Sequence, residues 1–105
     1  MGDVVIVAYR PKPGREAELQ QLAREHIPYL RQLDLVTDRA PVLLIGEGGV
    51  IVEVFEWRDG AVEAAHAHPK VHELWGRYAQ VCDYVPLKDL PEAAQMFATF
   101  KPLDG

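Results

Sequence analysis

Apolar residues run without a polar break through Val4-Val5-Ile6-Val7-Ala8-Tyr9, and again through Val42-Leu43-Leu44-Ile45. A strand with one wet face alternates apolar and polar positions, so these runs read as strands covered on both faces. Pro11-Lys12-Pro13-Gly14 breaks the first run, because Pro and Gly together mark a loop. Apolar positions then recur at helical spacing: Leu19, Leu22, Ala23, Ile27, Leu30 and Leu33. The pattern predicts a strand over 3–10 and a helix over 15–33. Glu16 and Glu18 fall in its first turn, where the helix dipole favours acids, and Pro28 is expected to kink or divide it.

Two further apolar runs, 40–47 and 50–58, flank Gly48-Gly49 and read as a hairpin. Asp59-Gly60 opens a second helix reaching about Val81, with Asp59 its expected cap. Its inner stripe is Ala61, Ala64, Ala65, His68, Val71, Trp75, Tyr78 and Cys82; Pro69 predicts a turn or two and a restart near His68. A strand over 83–88, a short helical interruption over 90–94 and an extended segment over 96–103 complete the pattern.

This order predicts an α+β chain of the ferredoxin-like βαββαβ type, one domain spanning 1–105. Its antiparallel sheet would carry both helices on one face. The other face is also apolar and needs a cover, and a second copy is the simplest one. Two sheets packed face to face would form a dimeric α/β barrel, with 89–105 an extension at the dimer interface.

The net charge is −5 and no run of four basic residues occurs, which argues against a nucleic-acid-binding surface. No apolar run approaches the roughly 20 residues of a membrane span, and no basic-then-apolar leader pattern is evident. The expected location is therefore the cytoplasm. The one cysteine, Cys82, excludes an intrachain disulfide and a thiolate zinc cluster.

Several segments together resemble the dimeric α/β-barrel superfamily, of the antibiotic-biosynthesis-monooxygenase and stress-responsive A/B-barrel types. They are Pro13-Gly14-Arg15-Glu16 before the first helix, the strand ending in Glu56-Trp57, and the histidine-bearing helix from Asp59 to Trp75. The resemblance extends to about Lys88. His68-Pro69 is similar to the His-Pro step of the stress-responsive type, but Val71 stands where a second histidine is usual. The superfamily includes monooxygenases, haem degraders, isomerases, cyclases and members without known activity, and fold analogy does not choose among them. In the haem-degrading branch a histidine late in the second helix ligates iron. About Gly76 stands there in this chain, so a haem site of that design is not expected.

Glu53 is the sharpest oddity, a carboxylate mid-strand between Val52 and Val54 on a face shared with Ile51, Phe55 and Trp57. If that face lines the barrel interior, burial would make Glu53 a candidate general base or acid. Otherwise it pairs with a cation such as Arg10 or Arg58 and specifies the dimer. The opposite register, placing Glu53 under the helices, is the less favoured reading, since helices there need apolar partners.

His66 and His68 are candidate proton-transfer residues, with Glu53 or a tyrosine assisting. Trp57, Tyr9, His72 and Phe55 are candidate pocket residues for a small apolar or aromatic molecule. His68 and His72, four apart, have a spacing that also suits a metal, although Pro69 disturbs that turn and no third ligand is forced. Cys82 has no adjacent base. Three functions compete: a small cofactor-free enzyme, a non-catalytic stress-related or structural dimer, and a metal-binding dimer using the helix histidines. No cofactor is expected, and the expected partners are a second copy and a small-molecule ligand, with no nucleic acid or membrane.

Overall fold

The computed structural model describes residues 2–104. The strands are β1 (Val4–Pro11), β2 (Val42–Ile45), β3 (Ile51–Glu56), β4 (Cys82–Val85) and β5 (Lys101–Pro102); the helices are α1 (Glu16–Gln32), α2 (Ala61–His66) and α3 (Pro69–Val81). The sheet order is β4-β1-β3-β2-β5, antiparallel throughout. The chain is thus α+β with a five-stranded open sheet, compatible with a ferredoxin-like fold.

The α1 stripe buries Leu19, Leu22, Ala23, Ile27 and Leu30, and with them His26. The helix runs as one element through Pro28. Its end is a Schellman motif: Leu35 N–H bonds Leu30 C=O and Asp34 N–H bonds Arg31 C=O. Asp34 occupies the position where glycine is usual, at φ 61°. The predicted break at Pro69 is present, with α2 and α3 separated there and His68 capping α3. The inner faces of α2 and α3 bury Ala61, Ala65, Val71, Leu74, Tyr78 and Val81, whereas Ala64 is exposed. The residue preceding α2 is Gly60, in the left-handed conformation, rather than the expected Asp59. The β2–β3 hairpin turns on Gly48 and Gly49, both at positive φ.

One core lies between the helices and the β face carrying Val5, Val7, Tyr9, Ile51, Phe55 and Trp57. Glu53 belongs to that face too, directly opposite Val7 and Leu43. The reading that put Ile51, Glu53, Phe55 and Trp57 on the helix-free side is therefore corrected. Because each face of β3 carries two apolar residues and one glutamate, its pattern carries little register signal. The decisive feature is that α1 offers a polar partner, His26, beneath Glu53.

The helix-free face holds a smaller cluster of Ala8, Val50, Val52 and Val85, covered by Leu90 and Phe100 of the segment after β4. That segment packs on its own sheet. Glu92 accepts the Glu47 N–H at 2.8 Å, and Phe100 sits against Gly46, where an added Cβ would come within 3.0 Å of the ring. The cover is partial: Val4, Ile6 and Val42 on this face are about half exposed, and Met96 and Phe97 project into solvent.

Candidate functional site

Glu53 is fully buried at the centre of the helix–sheet core. Its Oε1 accepts the Tyr9 hydroxyl at 2.8 Å and pairs with His26 Nδ1 at 2.8 Å. Two strands and one helix supply the three groups: Tyr9 lies in the second half of β1, Glu53 is mid-β3 and His26 is on the inner stripe of α1. A carboxylate oxygen is an acceptor, so the imidazole donates through Nδ1–H and its Nε2 points elsewhere. Neither His26 Nε2 nor Glu53 Oε2 makes a hydrogen bond to a protein group, although both are buried.

Aromatic rings enclose this trio. Tyr78 stacks on Tyr9 with centroids 4.9 Å apart, and Phe55 and Tyr78 meet the His26 ring edge-on at 5.5 and 5.4 Å. Trp57 lies edge-on to Phe55, and Tyr78 donates to the Leu22 carbonyl at 3.2 Å. Burial, reinforced by the charge of Glu53, pushes the Tyr9 phenol well above its ordinary value. The same two causes raise Tyr78. Tyr84, edge-on to Tyr9 and about half exposed, is also raised, chiefly by the partial desolvation of its ring. Both buried phenols therefore keep their protons and act as donors at neutral pH. The trio thus sets a carboxylate, an imidazole and a phenol within hydrogen-bond reach of one another in a low-dielectric interior.

Of the sequence candidates, the structure brings together Glu53, Tyr9, Phe55 and Trp57. It holds His66, His68 and His72 apart from them, at the α2–α3 junction. His66 Nδ1–H donates to the Val62 carbonyl at 2.7 Å, His68 Nδ1 accepts the Lys70 N–H at 3.2 Å, and the His72 ring bonds the His66 carbonyl. Trp75 packs against His66 and His72. These are capping and packing roles at a helix break. Among the described residues, no group of three or more His, Cys, Asp or Glu is placed to hold a metal ion.

His26 is the site residue that sequence reasoning missed. Its one signal was its position: it falls between Ala23 and Ile27 in the apolar stripe, at a step where the helix faces the core. The site itself is closed. The cleft between α1 and α3, about 400 Å³, is lined by Arg24, Pro28, Tyr29, Leu74 and Arg77 among others and does not reach Glu53.

No protein-family model, curated protein or solved structure matches this chain. No helix among the described residues is long and apolar enough to cross a membrane.

Proposed function

We propose that the chain works as a homodimeric α/β-barrel protein that takes a small apolar or aromatic molecule into its helix–sheet interior. There Glu53 moves a proton, with Tyr9 and His26 holding the carboxylate in place. The observation that carries this reading is a wholly buried carboxylate with one oxygen unengaged, beside an imidazole whose outer nitrogen is unengaged too. Buried polar atoms are ordinarily paired, and exceptions cluster where a ligand or water completes the set. The enclosing rings of Phe55, Trp57 and Tyr78 suit an aromatic or apolar body. Proton abstraction of the kind used in isomerisation, cyclisation or cofactor-free oxygenation is the chemistry these groups support. On this reading the proton-transfer role rests on Glu53, and His26 rather than His66 or His68 is the histidine beside it.

The dimer is supported by the helix-free face, where Val4, Ile6 and Val42 keep 54%, 52% and 46% of their surface. A second copy laid on that face would form the barrel that the resembled superfamily builds. The chain's own segment after β4 already shields the Val52 end, so the contact would centre on Val4, Ile6 and Val42.

Native mass spectrometry and a thermal-shift screen of small phenols, enols and aromatic acids test both parts. A dimeric mass, with a compound that raises the melting temperature of the wild type but not of Glu53→Gln, is the expected result. A monomer at micromolar concentration overturns the assembly. Stabilisation that is equal in Glu53→Gln, or absent throughout the screen, overturns the site.

A second reading, a dimer without catalysis, is favoured by one observation: Glu53 is 0% exposed, so no open path leads to it. On that reading the trio only specifies how α1 sits on the sheet.

A further inference from the structure

If Glu53 is a working site, something must admit a ligand to it. The helices cover the sheet unevenly. On β3, Glu53 and Ile51 are fully buried, yet their direct neighbours on β2, Leu43 and Ile45, are only half-buried. Cover therefore thins at the β2 side of the sandwich, one strand away from the carboxylate.

The last described residues fill that side. After the β5 pairing beside β2, the Leu103 N–H bonds the Leu43 carbonyl at 3.0 Å, and the Leu103 side chain packs on the helix-side core. Asp104 then crosses to α1, where both its carboxylate oxygens accept from Arg24 Nε, at 2.9 and 3.1 Å. Arg24 stands two residues before His26 on the same helix. The segment after β4 thus passes from the helix-free face round the β2 edge to α1, and its end joins sheet to helix one strand away from Glu53.

The joint is held by little. The Arg24–Asp104 pair is solvent-exposed, with 37% and 60% of the two side chains accessible. Exposed ion pairs contribute weakly and are screened by salt. Beyond the two-residue β5 pairing that precedes it, the described contacts of the joint are one backbone hydrogen bond and one half-buried leucine. Segments with few buried contacts are the ones that open locally while the core stays folded.

We infer that Leu103 and Asp104, latched to Arg24, form a gate that closes the β2 side of the helix–sheet interior and controls access to the Glu53–His26–Tyr9 site. The inference rests on the proposed site reading for its purpose, but its test needs no ligand. The chain has four histidines, and three of them, His66, His68 and His72, lie at the α2–α3 junction while His26 is buried. His26 Nε2 has no protein partner, so it is the ring nitrogen open to acylation by diethyl pyrocarbonate once the reagent reaches it, and all rates are compared at one pH.

Peptide mass spectrometry of the intact chain after timed exposure to the reagent reads all four sites in one sample. His26 of the wild type should react far more slowly than the other three. In a chain ending at Pro102, and in Asp104→Asn, His26 should react roughly tenfold faster while the junction histidines and the melting temperature hold steady. Raised salt should speed His26 in the wild type and have no such effect in Asp104→Asn. If the shortened chain does not fold, Asp104→Asn and the salt series decide. An unchanged His26 rate in Asp104→Asn together with no salt effect overturns the gate. A gate that responds as described in a chain whose screen yields no ligand leaves the gate standing and removes the proposed site function.

Discussion

Replacing Glu53 with leucine keeps most of the side-chain volume and removes both hydrogen bonds at the core's centre. Tyr9 Oη and His26 Nδ1 would then be stranded, one in β1 and one in α1, in residues only 3% exposed each. A stranded buried donor costs about 1–3 kcal/mol. Against this stands the relief of no longer burying a carboxylate, which is why replacing a whole buried polar set can be neutral while removing one member is not. The single change should therefore cost about 3–5 kcal/mol. That is a large part of the 5–15 kcal/mol that holds a typical domain folded, roughly. At about 4–8 °C per kcal/mol for a domain of this size, the melting temperature should fall by roughly 12–40 °C. The combined variant Tyr9→Phe, His26→Leu, Glu53→Leu strands nothing and should recover most of the loss. Urea unfolding followed by tryptophan fluorescence reads both, at one fixed protein concentration, because a dimer's midpoint moves with concentration. A Glu53→Leu variant within about 0.5 kcal/mol of the wild type, or a combined variant no better than the single one, would refute the reasoning.

The helix-free face supplies a contrast: Ile6→Asp should shift the chain from dimer to folded monomer in light scattering, whereas Phe55→Asp, placed in the helix-side core, should prevent folding. Alkaline titration tests the buried phenols. A tyrosine raised in the folded state contributes stability that is full below its unfolded value near pH 10, roughly, and lost as pH climbs through the raised value. Tyrosinate absorbance from Tyr9 and Tyr78 should accordingly appear only with unfolding, and Tyr9→Phe should shrink that cooperative step. Cys82, 3% exposed and with its thiol pushed up to about 11 by burial, should resist maleimide at pH 7 and react fully in urea. Asp34→Gly relieves a left-handed residue at the α1 Schellman motif and gives up only the exposed pair with Arg58. It should raise stability by up to about 1 kcal/mol in the same urea assay.

The helices were readable because their signals are redundant. The α1 stripe, the break at Pro69 and the Gly48-Gly49 turn each follow from a local rule, and each is where the pattern places it. Strand ends were less legible: β2 was expected over 40–47 and spans Val42–Ile45, since pairing partners rather than propensity set where a ladder stops. The face of Glu53 was hidden for a deeper reason. Each face of β3 carries two apolar residues and one glutamate, Glu53 or Glu56, so a one-residue slip leaves the pattern nearly unchanged. Only His26 breaks the tie, and a histidine in an apolar helix stripe announces no partner until the helix is laid on the sheet. The histidines at 66, 68 and 72 had the opposite defect. Their clustering in sequence was conspicuous, yet a helix break gathers capping residues for its own backbone.

The sheet's two margins have a bearing on what kind of assembly this chain can enter. On one side the outermost strand, β5, is two residues long and contains Pro102, which has no N–H to offer an incoming strand. On the other, β4 is four residues long, carries the exposed Asp83 and is followed by Pro86. Short margins bearing charge and proline are poor templates for end-on strand addition. Lateral growth into fibres is thereby discouraged, and the proposed pairing through the helix-free face, as an isologous contact, would close after one step.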